Sequence, residues 1–192
     1  MSYIEDLFSV AGKTALITGA ATGIGRMAAT ALVMGGARVF LASRKGDACA
    51  AVAEEINAMG GPGKAEGFAG DVGSEEGVGA LAAEVGRRTD QLHILINNAG
   101  LSWGAELGDF PYKAWARVMD VNVTGLFHLT RELLPLLEKA ASHEDPARII
   151  NLGSVMGTQP MADGAYSYTA SKAAVHHLTR TLANELAASR IT

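Results

Sequence analysis

Short apolar runs alternate along the chain with segments in which apolar residues recur at helical spacing. The apolar runs predict strands at Thr14–Thr18, Arg38–Ala42, Ala65–Ala69, His93–Asn97 and Arg148–Leu152. The helical spacing predicts helices at Gly23–Met34, Asp47–Met59, Ser74–Arg88, Tyr112–Ala140 and Ala165–Ala188. Pro135 is expected to kink or break the fourth helix. This alternation, without repeats or long linkers, predicts one α/β domain over residues 1–192, a doubly wound parallel sheet in three α/β/α layers.

Composition narrows the class of protein. The chain is 48% hydrophobic, but no apolar run approaches the ~18 residues of a membrane span, and Glu5 and Asp6 argue against a secretion signal. The single cysteine, Cys49, cannot form an internal disulfide and is expected to be inert packing. A net charge of −4 gives no basic footprint for nucleic acid. His176 and His177 lack metal-ligand spacing and are interpreted as helix residues. We therefore expect a cytoplasmic protein without nucleic acid, membrane or metal partners.

A glycine-rich turn, residues 18–25 (TGAATGIG), follows the first predicted strand and opens the first predicted helix. Glycines permit a tight turn and close backbone approach, while the helix N-terminus offers unpaired N–H groups and a positive dipole to a pyrophosphate. The chain has 23 glycines, so a purely structural loop remains an alternative for this motif alone. Its position between strand and helix favours a Rossmann-type dinucleotide site.

The second predicted strand ends in Ser43 and Arg44, where such a fold recognises the adenosine ribose. An acidic residue there would accept hydrogen bonds from a 2′-hydroxyl, whereas a hydroxyl and a guanidinium suit a 2′-phosphate. The sequence therefore predicts NADP(H) over NAD(H). The alternative is that Arg44 is only a solvated surface cation.

Polar or glycine-rich motifs follow all five predicted strands at their carboxyl ends, where parallel sheets bind ligands. They are Gly19, Ser43-Arg44, Asp71-Val72, Asn97–Gly100 and Gly153-Ser154. Packing alone would not predict that coincidence.

Tyr168 and Lys172 lie four residues apart, so a helix would present them on one face. A unit charge at ~4 Å and an effective dielectric of ~20 is worth about 4 kcal/mol. That energy lowers the pKa of a phenol by roughly three units, from ~10 to near neutrality, where a general acid is most useful. The same spacing also occurs by chance in many helices. Tyr166 would point elsewhere.

Together these motifs resemble the short-chain dehydrogenase/reductase family. The matching elements are Thr18-Gly19-x-x-x-Gly23-Ile24-Gly25, Asp71-Val72, Asn97-Asn98-Ala99-Gly100, Val121–Gly125, Ser154 and Tyr168-x-x-x-Lys172. Residues 97–104, 146–157 and 166–174 are most similar to bacterial 3-oxoacyl reductases, among them rhamnolipid-associated β-ketoacyl reductases.

The resemblance implies a role for each matched position. Tyr168 would protonate the substrate carbonyl as hydride arrives, Lys172 would lower the pKa of the phenol and bond the nicotinamide ribose, and Ser154 would stabilise the developing alkoxide. Asn122 would hold a water that relays protons to Lys172. The alternatives are that Ser154 is a turn residue and that Asn122 bonds backbone where its helix is irregular.

The implied cofactor contacts extend over the whole carboxyl edge, with Asp71 alternatively a helix-capping acid. They are Gly19, Ala21, Thr22, Gly23, Ile24, Gly25, Ser43, Arg44, Asp71, Val72, Asn98, Ala99, Gly100, Tyr168 and Lys172. Thr22 stands where many NADP-dependent relatives carry a basic residue.

Residues 190–192 lie where the family begins a sixth strand, so we expect the natural chain to continue into that strand and a substrate lid. On this expectation Arg148–Leu152 would be an unpaired edge. The family pairs its two long helices in homodimers and homotetramers.

Two functions are consistent with these residues. The first is an NADP(H)-dependent oxidoreductase for a small-molecule carbonyl or secondary alcohol, with a carrier-bound 3-oxoacyl thioester as a candidate. Trp103, Met156 and Met161 would then form an apolar wall, unless they are plain core. The second is a catalytically idle NADP-binding sensor or oligomer partner.

Overall fold

The computed structural model describes residues 8–161 and 164–192. Its parallel sheet has the strand order β3-β2-β1-β4-β5. The strands are β1 (Thr14–Thr18), β2 (Arg38–Ser43), β3 (Lys64–Ala69), β4 (Ile94–Asn97) and β5 (Arg148–Asn151). Each predicted strand is confirmed to within one residue at either end.

Helices connect successive strands and cover both faces of the sheet. They are α1 (Gly23–Met34), α2 (Gly46–Ala58), α3 (Glu75–Arg88), α4 (Tyr112–Met119), α5 (Gly125–Ala140) and α6 (Tyr166–Leu186). Short 3-10 turns occupy Leu107–Asp109, Val155–Gly157 and Ala187–Ser189. The three-layer, Rossmann-type architecture predicted from the sequence is confirmed.

The helix predicted over Tyr112–Ala140 is interrupted, but not at Pro135. A π-helical turn at Asp120–Thr124 separates α4 from α5, and α5 runs through Pro135 without a break. Proline lacks the N–H that would bond the carbonyl four residues earlier, here that of Arg131, an exposed residue. The π-turn instead buries Asn122, whose side chain belongs to the functional site described below.

Two apolar clusters form the core, one on each face of the sheet, because successive strand residues point to opposite faces. One packs α3 and α5 against Leu16, Phe40 and Leu95. The other packs α1 and α2 against Ile17, Leu41 and Ile96. This packing fixes the carboxyl ends of the strands, where the predicted site lies.

β5 is the edge strand of the sheet, as predicted, but its start is paired rather than bare. Ile191 forms a parallel bridge with Ala147 and is 2% exposed. The N–H of Thr192 donates to the carbonyl of Ala147 at 2.9 Å, and the N–H of Ile149 donates to the carbonyl of Thr192 at 2.8 Å. These residues run beside β5 in the direction expected of a sixth strand.

None of the helices within the described ranges combines the length and the apolar character that crossing a membrane requires.

Candidate functional site

The glycine turn after β1 packs tightly against the end of β4. Gly19 has φ +66°, and a Cβ there would lie 2.9 Å from the Cα of Ala99. A Cβ on Gly25 would lie 2.6 Å from the Nδ2 of Asn98. Contacts this short exclude any side chain, so both glycines are required for the turn to reach the neighbouring strand.

Thr18 and Asn98 fasten this turn. The Oγ1 of Thr18 accepts hydrogen bonds from the N–H groups of Asn98 at 3.1 Å and Ala99 at 3.0 Å. In return, the Nδ2 of Asn98 donates to the carbonyls of Thr18 at 2.9 Å and Gly19 at 3.1 Å. From the sequence, Thr18 belongs to the glycine-rich motif but has no predicted role. A threonine at the end of an apolar strand is the feature that could have indicated this hydrogen-bonding role.

The N-terminus of α1 lies beside this turn and suits an anion. Within the described ranges Thr22, its N-cap, makes no side-chain capping bond, and the first turn contains no acidic residue. The first-turn N–H groups have no intrahelical partners and keep their positive dipole. Gly23 supports this geometry with φ +54° and open space where a Cβ would be.

A first cavity of about 450 Å³ opens over the carboxyl ends of β1, β2 and β3. It brings together the predicted residues Gly19, Ala21, Thr22, Ile24, Ser43, Arg44, Asp71, Val72, Asn98, Ala99 and Gly100. The predicted residues Gly23 and Gly25 shape the turn and do not line the cavity. Sequence reasoning missed the lining residues Thr18, Ala42, Lys45, Gly70, Leu101 and Val121.

Two cations stand at the β2 end of this cavity. Arg44 is exposed, and among the described residues neither its side chain nor that of Lys45 has a hydrogen-bond or salt-bridge partner. The Oγ of Ser43 accepts hydrogen bonds from the N–H of Lys45 at 3.2 Å and from the thiol of Cys49 at 3.1 Å. Burial raises the pKa of the Cys49 thiol, which agrees with its interpretation as inert packing. Lys45 could have been predicted as a cavity residue from the sequence, because it directly follows the predicted pair Ser43-Arg44.

Asp71 does not cap α3. Its Oδ1 accepts from the N–H of Gly73 at 2.9 Å, which makes a local turn. The N-cap is Ser74, whose hydroxyl accepts from the N–H of Gly77 at 3.1 Å. The helix-capping alternative for Asp71 is therefore wrong, and Asp71 lines the first cavity with Val72.

A second cavity of about 490 Å³ adjoins the first. The two share the lining residues Ile24, Asn98, Gly100 and Leu101. The second is completed by Ser102, Leu152, Gly153, Met156, Ala165, Tyr168 and Lys172. The helix that carries Tyr168 and Lys172 thus faces the wall that the two cavities have in common.

Lys172 is buried beside the ring of Tyr168. Its Nζ lies 5.6 Å from the ring centroid and donates to the carbonyl of Leu152 at 2.6 Å. With 6% of the residue exposed, burial lowers the pKa of the Lys172 ammonium. The prediction that the two side chains share a helix face is confirmed. Tyr166 points elsewhere, edge-on to Phe110 with 5.6 Å between ring centroids.

Ser154 begins the 3-10 turn that follows β5. Its Oγ accepts from the N–H of Met156 at 3.2 Å, and its own N–H donates to the Nε2 of His176 at 3.4 Å. The turn-residue interpretation thus describes its local bonding. The hydroxyl proton is not used by that bond and remains a donor. Its neighbours Gly153 and Met156 line the second cavity.

Asn122 uses its amide to hold two other segments together. Its Oδ1 accepts from the N–H of Leu101 at 2.9 Å. Its Nδ2 donates to the carbonyl of Leu101 at 3.0 Å and to the Oγ of Ser171 at 2.9 Å. Ser171 in turn donates to the carbonyl of Tyr168 at 2.7 Å. Both amide hydrogens therefore serve the protein, as the irregular-helix interpretation proposed, and the water relay remains a prediction.

The three residues suggested as an apolar wall differ in exposure. Met156 is half-buried and lines the second cavity. Trp103 is 47% exposed and Met161 is 55% exposed. The core interpretation is therefore wrong for Trp103 and Met161. Within residues 8–161 and 164–192, no group of three or more His, Cys, Asp or Glu side chains is arranged to hold a metal ion.

Comparison with known proteins identifies the family to which the chain belongs. The model of the short chain dehydrogenase family matches residues 13–192. The chain is 47% identical over 188 residues to the rhamnolipids biosynthesis 3-oxoacyl-[acyl-carrier-protein] reductase of Pseudomonas aeruginosa, covering 98% of this chain and 72% of that protein. It is 37% identical to the 2-dehydro-3-deoxy-D-gluconate 5-dehydrogenase of Bacillus subtilis, covering 100% of this chain and 72% of that protein.

Solved structures agree. The Pseudomonas aeruginosa RhlG/NADP active-site complex superimposes with a TM-score of 0.92 at 46% identity, covering 96% of this chain and 71% of that one. A metagenomic short-chain oxidoreductase in complex with NADP superimposes with a TM-score of 0.84 at 34% identity, covering 95% and 80%. On these matches, and on the paired cavities that α6 completes, the chain belongs to the short-chain dehydrogenase family.

Proposed function

We propose that this protein is an NADP(H)-dependent oxidoreductase that interconverts a carbonyl and a secondary alcohol, with Tyr168 as the general acid. The observation that carries the proposal is the common wall of the two cavities. One cavity has the helix N-terminus and cations that suit a dinucleotide, and the other has a phenol beside a buried ammonium. A reaction at the shared wall brings the two chemistries together.

The residues of the first cavity fit NADP(H). The N-terminus of α1 is available to the pyrophosphate. Arg44 and Lys45, which make no hydrogen bonds or salt bridges to the described residues, suit the 2′-phosphate. Both solved relatives cited above hold NADP. When bound, the cofactor supplies or accepts a hydride.

Reduction of a carbonyl also requires a proton at its oxygen. The phenol of Tyr168 lines the second cavity and is the donor we assign. Lys172 stabilises the phenolate that remains, and its Nζ retains two further N–H donors for a ribose after bonding Leu152. The hydroxyl of Ser154 is assigned to the developing alkoxide.

Asn122 is assigned a positioning role in this site. Its amide fixes Leu101, part of the common wall, and through Ser171 it braces the helical turn that carries Tyr168. Whether Asn122 also holds a relay water, as the resemblance implies, can be tested through the pH dependence of Asn122 variants.

The proposed substrate class is a 3-oxoacyl thioester on an acyl carrier. Two relatives from Pseudomonas aeruginosa, at 47% and 35% identity, are 3-oxoacyl-[acyl-carrier-protein] reductases. Met156 in the second cavity offers apolar surface to an acyl chain, and the exposed ring of Trp103 adjoins Ser102 of the lining.

We also propose a cytoplasmic homo-oligomer, a dimer or a tetramer, built on the two long helices α5 and α6. Phe127 on α5 is 38% exposed, and Trp115 on the preceding α4 is 43% exposed. Partly exposed aromatic side chains of this kind are common in interfaces.

The decisive experiment is Tyr168→Phe, with NADPH consumption followed by absorbance on a 3-oxoacyl thioester. Loss of a general acid should lower kcat by about 10²–10⁴-fold, while the Kd for NADPH stays nearly unchanged because the phenol contributes little to cofactor binding. Tyr166→Phe is the matched control and should keep the wild-type rate.

Two results would contradict the proposal. If Tyr168→Phe keeps most of the wild-type rate, the assigned acid is wrong. If the wild type binds NADPH but turns over no carbonyl substrate in a broad panel, the idle sensor is the better description.

A further inference from the structure

The helix face that carries Tyr168 and Lys172 continues one turn further to His176. We propose that His176 is a positioning residue that holds Ser154 in place, an inference that rests on the proposed function. His176 lines neither of the two cavities described, so its influence on the reaction would pass through Ser154.

The imidazole of His176 lies against the backbone on both sides of Ser154. Its Nε2 accepts from the N–H of Ser154 at 3.4 Å. A Cβ on Gly153 would overlap that Nε2, and a Cβ on Gly157 would lie 2.8 Å from the Cε1. Both glycines therefore leave the space that the ring occupies, and the ring lies close to the two ends of the turn, at Gly153 and at Gly157.

Three side chains of α6 bond the chain at the end of β5. Lys172 donates to the carbonyl of Leu152 at 2.6 Å. His176 accepts from Ser154. The Oγ1 of Thr179 accepts from the Nδ2 of Asn151 at 3.0 Å. We call these three bonds the α6–β5 ladder. Its middle bond ties the N–H of Ser154 to the same helix face that carries the phenol of Tyr168.

The chemistry of the ring matches this role. A neutral imidazole that accepts at Nε2 carries its proton on Nδ1. Ser154 is then held at its N–H by His176 and at its Oγ by the N–H of Met156. Without the bond to His176, the backbone of Ser154 can move. A displacement of about 1 Å in a group that contacts the substrate can lower the rate of the catalysed reaction substantially. The alternative is that the ring only fills space.

The test compares His176→Leu, which removes the acceptor, with His176→Gln, which keeps an acceptor near the Nε2 position. One neutral hydrogen bond is worth about 0.5–1.5 kcal/mol, so His176→Leu should lower kcat by roughly two- to twelvefold. The Kd for NADPH should not change. His176→Gln should restore kcat to within about twofold. His177→Leu, at an exposed position on the same helix, is the matched control.

Coupling to Ser154 separates positioning from packing. In a Ser154→Ala background, His176→Leu should lower kcat no further, because the hydroxyl it positions is gone. An equal loss in both backgrounds, an unchanged kcat in His176→Leu, or a loss in His176→Gln as large as in His176→Leu would each overturn the inference. If His176→Leu does not fold, the smaller His176→Ala, which also lacks an acceptor, replaces it in the same cycle with the same outcomes.

A second readout does not depend on turnover, so it distinguishes failure of this inference from failure of the proposed function. Hydrogen exchange of the Ser154 amide, followed by NMR, should become faster in His176→Leu and keep its wild-type rate in His176→Gln. An unchanged exchange rate in His176→Leu would overturn the inference even in a protein without measurable activity.

Discussion

Arg44 offers a quantitative test of cofactor choice, because its guanidinium borders the first cavity and has no hydrogen bond or salt bridge to the rest of the described chain. Replacing Arg44 therefore breaks no hydrogen bond or salt bridge within the protein. A change in the affinity for NADPH then reflects the lost contact with the cofactor and not a disturbed fold. We predict that Arg44→Asp reverses the preference of the protein from NADPH to NADH.

The magnitude follows from the charges. A charge-assisted hydrogen bond is worth about 1.5–3 kcal/mol, and the exposure of Arg44 favours the lower value. The new carboxylate adds repulsion of about 1 kcal/mol per unit charge at ~4 Å in water, against a phosphate charge of about −1.5 to −2. The sum is about 3 kcal/mol, or roughly a hundredfold in the Kd for NADPH. NADH, which lacks the phosphate, should bind nearly as before.

The assay is titration of each variant with NADPH and with NADH, followed by the change in nicotinamide fluorescence. Lys45 remains in Arg44→Asp, so Arg44→Asp with Lys45→Ala should weaken NADPH further. Arg117→Asp makes the same change of charge at an exposed position outside both cavities and is the control. Equal affinities of the wild type for both cofactors, or an equal loss for both in Arg44→Asp, would refute the reasoning.

Three further predictions concern stability, each measured by urea unfolding. Burial lowers the pKa of Lys172 below its ordinary 10.5, so between the lowered pKa and 10.5 the unfolded chain binds more protons than the folded chain. The stability of the wild type relative to Lys172→Met should therefore rise as the pH is raised toward 10.5, and a difference that does not change with pH would contradict this. Gly125→Ala should lower the free energy of unfolding by more than ~3 kcal/mol, since its Cβ would overlap the carbonyl of Val72. The control Gly79→Ala, whose Cβ would meet nothing within 4 Å, should raise it by about 0.5–1 kcal/mol. Equal effects of the two substitutions would contradict this packing of Gly125. Asn122→Ala removes three hydrogen bonds and should cost about 1.5–4.5 kcal/mol; a cost below ~0.5 kcal/mol would show that these bonds are not formed.

The strands and most helices could be predicted because their signals are local. The run Thr14–Thr18 is wholly buried, and the turn from Gly19 to Gly25 follows it directly. Sequence position at the carboxyl ends also identified Asp71 and Arg44 as cavity residues, because parallel strands bring those ends to one edge.

What could not be predicted depends on contacts between distant segments. Pro135 is a local signal for a helix break, yet the interruption lies at Asp120–Thr124, where burial of Asn122 against Leu101 decides the backbone. The pairing of Ile191 beside β5 likewise depends on where α6 returns the chain. A local pattern carries no information about such partners.

The α6–β5 ladder has a consequence for how the molecule opens and refolds. The nucleotide cavity is lined entirely by residues 18–121, whereas Tyr168 and Lys172 line the adjoining cavity, which is complete only when α6 is docked. Contacts between residues so far apart in sequence form late if local structure forms first. An opening in which α6 undocks would leave a protein that still binds dinucleotide but in which Tyr168 is displaced from the second cavity. Native-state hydrogen exchange can test this. Bound NADPH should slow the exchange of amides in β1 and β4 more than it slows the exchange of amides in α6.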